Sequence, residues 1–403
     1  MQNLGKMQKS FLEFFAGTGL VRLGLEPEGW KCAWANDICD DKKDAYVANF
    51  GNDDFELNDI WNVVNEVDRL PKNVFLATAS FPCTDLSVAG ARKGLVGEQS
   101  GTLKAFLSIV EKQKLSNQEP VCILLENVQG FLTSHKGADV SYTVSELNRL
   151  GYIVDIIELD AKYFTPQSRP RVFVIAVLEK VAKYCMNTDF ALEPFSKWNT
   201  LTQLNPVLRT RKIQEVVSVN PTLKWGMFDF PLPPDVNSNL DYIVENLPDD
   251  SRYWWDSVRV KKLYSQMYDR HKEYIECMKN SDSYKYCTVY RRVRQGISRA
   301  ELRTDGIAGC LRTPKGGSSK QILVQVGKGE FKVRFLTPRE YARLQGVDDN
   351  FVLSSKDTLA YFAMGDAVCV PAITWLTQNS LNVVYDAYSK YLSDIDGKLV
   401  KVA

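Results

Sequence analysis

A chain of 403 residues, 45% hydrophobic and 25% charged, has globular composition and length enough for two domains. No uninterrupted apolar run nears the roughly 20 residues of a membrane helix, and the N-terminus lacks a signal-peptide pattern, so a cytoplasmic protein without membrane partners is expected. Nine cysteines with no C-x-x-C pair speak against a disulfide framework or a bound metal, and the two histidines, His135 and His271, leave few bases for histidine-dependent catalysis.

In chain order, Ser10–Phe15 reads as a first strand that runs into Phe14-Phe15-Ala16-Gly17-Thr18-Gly19 and opens a helix. Glycines there allow close backbone approach to a ligand. The loop fits a dinucleotide fold about as well as a methyl-donor fold, but Val21-Arg22 stand where G-x-G-x-x-G would need its third glycine. A nucleoside cofactor without a pyrophosphate is therefore favoured. Lys31–Asn36 is the second strand, and Asp37 at its end suits both hydroxyls of a ribose. Asp59, after a third strand, would accept from an adenine amino group; for either acid a plain helix N-cap is the bland alternative.

Val74–Ser80 forms a further strand and delivers Phe81-Pro82-Cys83. The loop beyond it holds Gly90, Arg92, Lys93, Gly94, Gly97 and Gly101, a lid able to carry cations to phosphate. Thr102–Lys114 is helical, and the strand Cys122–Glu126 ends in Glu126-Asn127-Val128. Ligands sit beyond the carboxyl ends of strands in open α/β sheets, so Cys83 and Glu126 face one crevice, a thiol nucleophile beside an acid that manages a proton. After the helix Val140–Leu150 and the strand Ile153–Leu159 comes Gln167-Ser168-Arg169-Pro170-Arg171, opening the strand Val172–Val177. Arg169 and Arg171, two apart on an extended segment, are expected to point together into the crevice. The alternation of strand and helix predicts an α/β fold with a doubly wound, mostly parallel sheet.

From about residue 186 the alternation is lost and Pro, Trp, Tyr and basic residues rise. Residues 251–340 carry 20 Lys and Arg against 9 Asp and Glu, a local excess of +11 in a chain of net +1, which points to a polyanionic partner. Helical pattern returns at Pro338–Gln345, and Val368–Tyr391 reads as one helix that packs back on the first domain.

Six elements in this order resemble the cytosine-5 DNA methyltransferases of bacterial restriction-modification systems: Phe15-Ala16-Gly17-Thr18-Gly19; Phe81-Pro82-Cys83; Glu126-Asn127-Val128; Gln167-x-Arg169-x-Arg171; Arg334-Phe335-Leu336-Thr337-Pro338-Arg339-Glu340 with Arg343-Leu344-Gln345-Gly346; and Gly365-Asp366-Ala367-Val368. The likeness covers about 1–178 and 330–380. It implies a Rossmann-like catalytic domain at 1–185, completed by 360–403, a smaller target-recognition domain at 186–333, and a connecting motif at 334–359. It implies S-adenosylmethionine as methyl donor, leaving as S-adenosylhomocysteine. The donor would be held by Phe15, Ala16, Gly17, Thr18, Gly19, Leu20, Asp37, Ile38, Asp59, Ile60, Pro82, Leu103, Asp366 and Val368. Cys83 would attack a cytosine flipped from duplex DNA, with Glu126, Arg169 and Arg171 in support. DNA contacts would come from Ser87, Arg92, Lys93, Arg291, Arg292, Arg294, Arg312 and Lys315. A monomer is expected, and any cognate restriction endonuclease would need no stable complex with it. Thr84 stands where relatives carry Gln, Asp366 where they carry Asn, and Glu98-Gln99-Ser100-Gly101 lacks the usual Arg before Gly, which passes phosphate contact to Arg92 and Lys93. A tRNA-methylating relative, an inactive DNA binder and a nucleotide-dependent oxidoreductase are the alternatives. The first carries a Cys-Phe-Thr signature that Cys287-Thr288 lacks.

Overall fold

A computed structural model of the chain describes residues 7–82, 101–188, 202, 205–236, 238–294, 296–313 and 320–402, with the side chains of 294 and 397–402 left out. The chain divides into two compact units. One comprises Met1–Leu159, Pro170–Pro233 and Ala372–Ala403; the other comprises Asp160–Arg169 and Pro234–Pro371. Residues 186–233 thus group with the first unit and 360–371 with the second, unlike the boundaries expected from sequence.

The first unit is built on β1 (Ser10–Phe14), β2 (Lys31–Asp37), β3 (Phe55–Leu57), β4 (Leu76–Ala79), β5 (Cys122–Val128), β6 (Tyr152–Asp160) and β7 (Pro170–Leu178). They lie in the order β3-β2-β1-β4-β5-β7-β6. The first five run parallel and β7 runs antiparallel to β5, so the sheet is mostly parallel as expected. Sequence explains the burial of β7: Val172–Val177 are no more than 2% exposed, the continuous apolar run of a strand covered on both faces. Each such side chain stabilises by about 1.5–3 kcal/mol when fully buried. Strand order reverses between β1 and β4, the switch point where open α/β sheets leave a crevice.

The C-terminal segment does pack on the first unit, where Tyr385 sets its ring edge-on to Trp30 and to Phe75 at centroid distances of 6.1 and 5.2 Å. It is not one uninterrupted α-helix. Val370–Leu376 passes through a π-helical turn, Thr377–Leu381, into Asn382–Val402. Thr377, Asn379 and Ser380 each bond the carbonyl four residues back, competing with the backbone ladder at this point. Among the described residues one helical stretch, Asp357–Asp396, is long and apolar enough to cross a membrane by length and average hydropathy, although no unbroken apolar run marks it in sequence; 61% of its most apolar window is buried inside the fold.

The second unit holds a four-stranded antiparallel sheet, β11-β10-β8-β9, which the sequence pattern had not revealed. Its strands are β8 (Lys285–Arg294), β9 (Ile297–Arg303), β10 (Ile322–Gly327) and β11 (Glu330–Phe335). The β10–β11 turn puts both Lys328 and Gly329 at positive φ, 52° and 78°, the backbone twist that a two-residue hairpin demands. Leu263, Met267 and Ile275, from the helical segment preceding the sheet, close a core with Cys287, Val289, Ala300 and Val324.

Candidate active site

At the ends of β1, β2 and β3 the backbone is stitched into one corner. Asp37 is the hub: Oδ2 accepts from the Gly17 N–H at 2.9 Å and Oδ1 from the Cys39 N–H at 2.9 Å. Ala16 N–H donates to the Asn36 carbonyl, and Asn36 Nδ2 to the Asn58 carbonyl. Phe15, Gly17 and Gly19 all take positive φ; for the non-glycine Phe15, at 56°, this costs about 1–3 kcal/mol, strain of the kind that collects at ligand clamps. A Cβ on Gly17 would meet nothing within 4 Å, whereas one on Gly19 would strike the Phe50 ring, so one glycine leaves open space and the other permits packing. Beside Asp37, Ile38 stands 68% exposed, and Trp61, which sequence reading passed over, is 47% exposed two residues after Asp59. Open space, an acid and two bare apolar side chains fit the adenosine end of a nucleoside. Asp59 accepts from the Trp61 N–H and caps the following helix, the plainer role foreseen for it.

The second corner lies at β4, β5 and β7. Ala79 pairs with Leu125, and Asn127 Nδ2 donates to the Phe81 carbonyl at 3.0 Å, which fixes the chain leaving β4 beside Glu126. Val128 of β5 pairs with Arg171 of β7, and Glu126, two residues earlier on the same face, is the diagonal neighbour. The Arg171 Nε therefore reaches Glu126 Oε1 at 3.0 Å, and both side chains are nearly buried. Guanidinium and carboxylate orient one another, and the pair can support charge on a bound heterocycle.

The expectation that Arg169 points with Arg171 is corrected. Two-residue alternation holds only inside a strand, and β7 begins at Pro170. Arg169 is buried in the second unit, donating to the carbonyls of Leu311, Gly365 and Ala367 at 2.8, 2.9 and 2.6 Å. It ties two backbone segments, and its guanidinium is spent on them. Leu20, Ile60 and Leu103 are core side chains, as are Val368 in the second unit and the nearly buried Ala16 and Thr18. Asp366 is exposed on the second unit and Pro82 half-buried. Arg291, Arg292 and Arg312 are exposed on the second unit and Arg294 ends β8. Arg292 stacks on Tyr290 and pairs with Glu301 at 3.5 Å. Cys83, Ser87, Arg92, Lys93 and Lys315 lie outside the described residues.

Of the eight cysteines described, Cys122, Cys287 and Cys369 are fully buried. Burial pushes the thiols of Cys32, Cys185 and Cys287 up to about 12 and that of Cys122 higher still, leaving these sulfurs protonated and poor nucleophiles. Cys287 belongs to the core of the second unit. Sequence reading also missed Glu13, a carboxyl buried in β1 that accepts from the Arg22 N–H; an acid inside an apolar strand was the signal.

The C-5 cytosine-specific DNA methylase family model matches residues 9–381. The chain is similar to the Type II methyltransferase M.BanI of Aneurinibacillus aneurinilyticus, with 26% identity over 94% of this chain and 98% of that one. It is also similar to M.HpaII of Haemophilus parainfluenzae, with 26% identity over 90% of this chain and 87% of that one. Among solved structures, the Entamoeba histolytica methyltransferase EhMeth aligns over 94% of this chain and 98% of its own at a TM-score of 0.58 and 16% identity. The S. pombe Dnmt2 methyltransferase does so over 92% and 97% at 0.55 and 18%; both likenesses speak to the fold. With a doubly wound sheet, a glycine corner bound to an acid, and a Glu–Arg pair beside the exit of β4, the chain belongs to the C-5 cytosine-specific DNA methylase family and is a DNA cytosine methyltransferase.

Proposed function

We propose that the protein transfers a methyl group from S-adenosylmethionine to carbon 5 of a cytosine flipped out of a specific duplex DNA site, through a covalent bond to Cys83. The observation that carries this reading is the Glu126–Arg171 pair at the corner where Asn127 holds Phe81, two residues before Cys83 in sequence. Carbon 5 of cytosine is a weak nucleophile. Addition of the Cys83 thiolate to carbon 6 turns the ring into an enamine, and Glu126 supplies the proton or hydrogen bond that ring nitrogen 3 needs as charge develops. Arg171 holds the Glu126 carboxyl in place and faces the carbonyl oxygen of the base. S-adenosylmethionine, when bound, supplies the electrophilic methyl. Asp37, Ile38 and the Phe15–Gly19 loop are the residues that fit its nucleoside, and Asp59 contributes from the end of β3. Loss of the carbon 5 proton and expulsion of the thiolate restore the aromatic ring and free the enzyme. Extruding the base costs a few kcal/mol of stacking and pairing. The segment after Cys83, with Ser87, Arg92 and Lys93, is assigned to cover it.

Reading of the target site is assigned to the second unit, where the basic excess lies. The protein is assigned to act as a monomer, and a cognate restriction endonuclease, where one exists, needs no stable complex with it. The decisive test uses a duplex carrying 5-fluorocytosine at the target. The fluorine blocks the final elimination, so wild-type protein and S-adenosylmethionine should give an adduct stable to denaturation, and peptide mapping should place it on Cys83. Absence of that adduct in a preparation that methylates unmodified DNA would sink the mechanism.

A further inference from the structure

On the second unit, cations and aromatic rings alternate in one unbroken row. Arg291 lies over Trp255 at 5.7 Å, and Arg259 covers the same indole at 3.7 Å. Arg259 also faces Phe335 at 4.9 Å, while Lys320 reaches Phe335 at 5.7 Å and Tyr361 at 4.0 Å. Trp255 and Phe335 meet edge-on at 5.2 Å, so the rings form a continuous backing.

Period-two geometry explains how Arg291 enters this row and its neighbour does not. Cys287, Val289 and Arg291 share one face of β8; the first two are buried in the core with Trp255, and Arg291 continues that face past the edge of the core. Arg292 points to the other face, where Glu301 and Tyr290 receive it.

No ion pair joins Arg259, Arg291 or Lys320 to an acid among the described residues. The nearest carboxylates are engaged elsewhere: Asp256 accepts from the Arg259 backbone N–H, and Asp357 holds Arg252 and Tyr253. Desolvation, then repulsion from Arg291, holds Arg259 below its ordinary pKa, and desolvation does the same for Lys320. Asp256 and Asp357 pull on Arg259 and Lys320 only weakly, without pairing with them. Three cations joined through shared rings and without an ion-pair partner are set out for a ligand that itself carries anions in a row. Cations that share a ring stand within about one Debye length of each other, ~10 Å at 0.1 M salt, so they act on such a ligand together. Stacking extends the side chains in advance, which lowers the entropy lost on binding, and it leaves the guanidinium edges free for phosphate oxygens.

We propose that Arg291, Arg259 and Lys320, seated on Trp255, Phe335 and Tyr361, form a track that grips consecutive backbone phosphates of the DNA substrate irrespective of its sequence. This rests on the DNA methyltransferase reading and adds Arg259 and Lys320 to the interface. The test measures binding of fluorescent duplexes, one with a methylated target site and one without, between 50 and 200 mM salt. Wild type is compared with R259A, K320A, the double variant, R259K and, as a control, K272A, whose lysine pairs with Asp269. Each phosphate contact contributes about 0.9 to the slope of log affinity against log salt. The single variants should each lose about one unit of slope and the double about two, equally on both duplexes, while R259K and K272A keep the wild-type slope. An unchanged slope in the double variant, with wild type still binding and methylating DNA, overturns the track alone. A loss confined to the target duplex also overturns it, because base contacts would then be responsible. Failure of wild type to bind any duplex overturns the enzyme reading and the track with it.

Discussion

Glu13 is fully buried in β1, and burial raises its carboxyl to about 8, against a lesser pull from the Arg22 N–H and guanidinium. A folded-state pKa above the unfolded value means that the native protein holds a proton the unfolded chain has released. Stability from this group is complete below the unfolded pKa of 4.5 and is lost as pH rises through about 8. Urea denaturation should show wild type losing stability across that window, by up to about 1.4 kcal/mol per pH unit at the steepest. Glu13→Gln should flatten the profile, and an equally steep decline in the variant would reject the assignment. At the second corner, Glu126→Gln keeps the shape but weakens the partner of Arg171 and removes an acid. Single-turnover methyl transfer should fall about 10²–10⁴-fold, while the affinity for duplex DNA holds. An unchanged transfer rate would remove Glu126 from the chemistry.

Between elements, the clearest energetic statement concerns the motif that follows β11. Arg334 and Glu340 are completely buried and joined by two bonds of 2.5 and 2.6 Å. Glu340 also accepts from the Thr337 and Glu245 N–H groups, and the Thr337 hydroxyl oxygen accepts from the Glu340 N–H, closing a capping box on the helix Pro338–Leu344. Removing one partner strands a buried charge. Glu340→Gln should therefore cost about 3–5 kcal/mol in equilibrium unfolding, with the pair replacement Arg334→Met, Glu340→Leu recovering part of the loss. A cost below about 1 kcal/mol for the single variant would show that water reaches the site. In sequence this stretch reads as a family motif that connects the two parts of the chain; in the fold it caps a helix and pins it to β11. Gln167 and Gln345 belong to the same kind of scaffolding, each buried and donating to main-chain carbonyls.

Over the whole molecule, chemistry and DNA affinity are expected to separate. Cys83→Ala should abolish methylation, read by bisulfite sequencing of DNA from cells expressing the variant, while duplex binding in a gel-shift assay persists. Residual methylation at the target would remove the sulfur from its role. The strands β1, β2, β4, β5, β6 and β7 were legible in the sequence because each is an apolar run ended by a polar or glycine turn, and local composition controls burial there. The delivery of Phe81 from β4 and of Glu126-Asn127-Val128 on the neighbouring β5 was legible for the same reason. Local pattern was blind to the antiparallel sheet of the second unit, whose edge strands are half exposed and rich in charge. It also set Arg169 beside Arg171, because spacing along a chain does not say where a strand begins. Composition and motif order by themselves determined the α/β class and the family. Which carboxylate meets which guanidinium, which cysteines are silenced by burial, and which arginines lie on rings rather than against acids were decided only by tertiary structure. Register, desolvation and charge pairing are set by residues far apart in sequence, and no local window contains them.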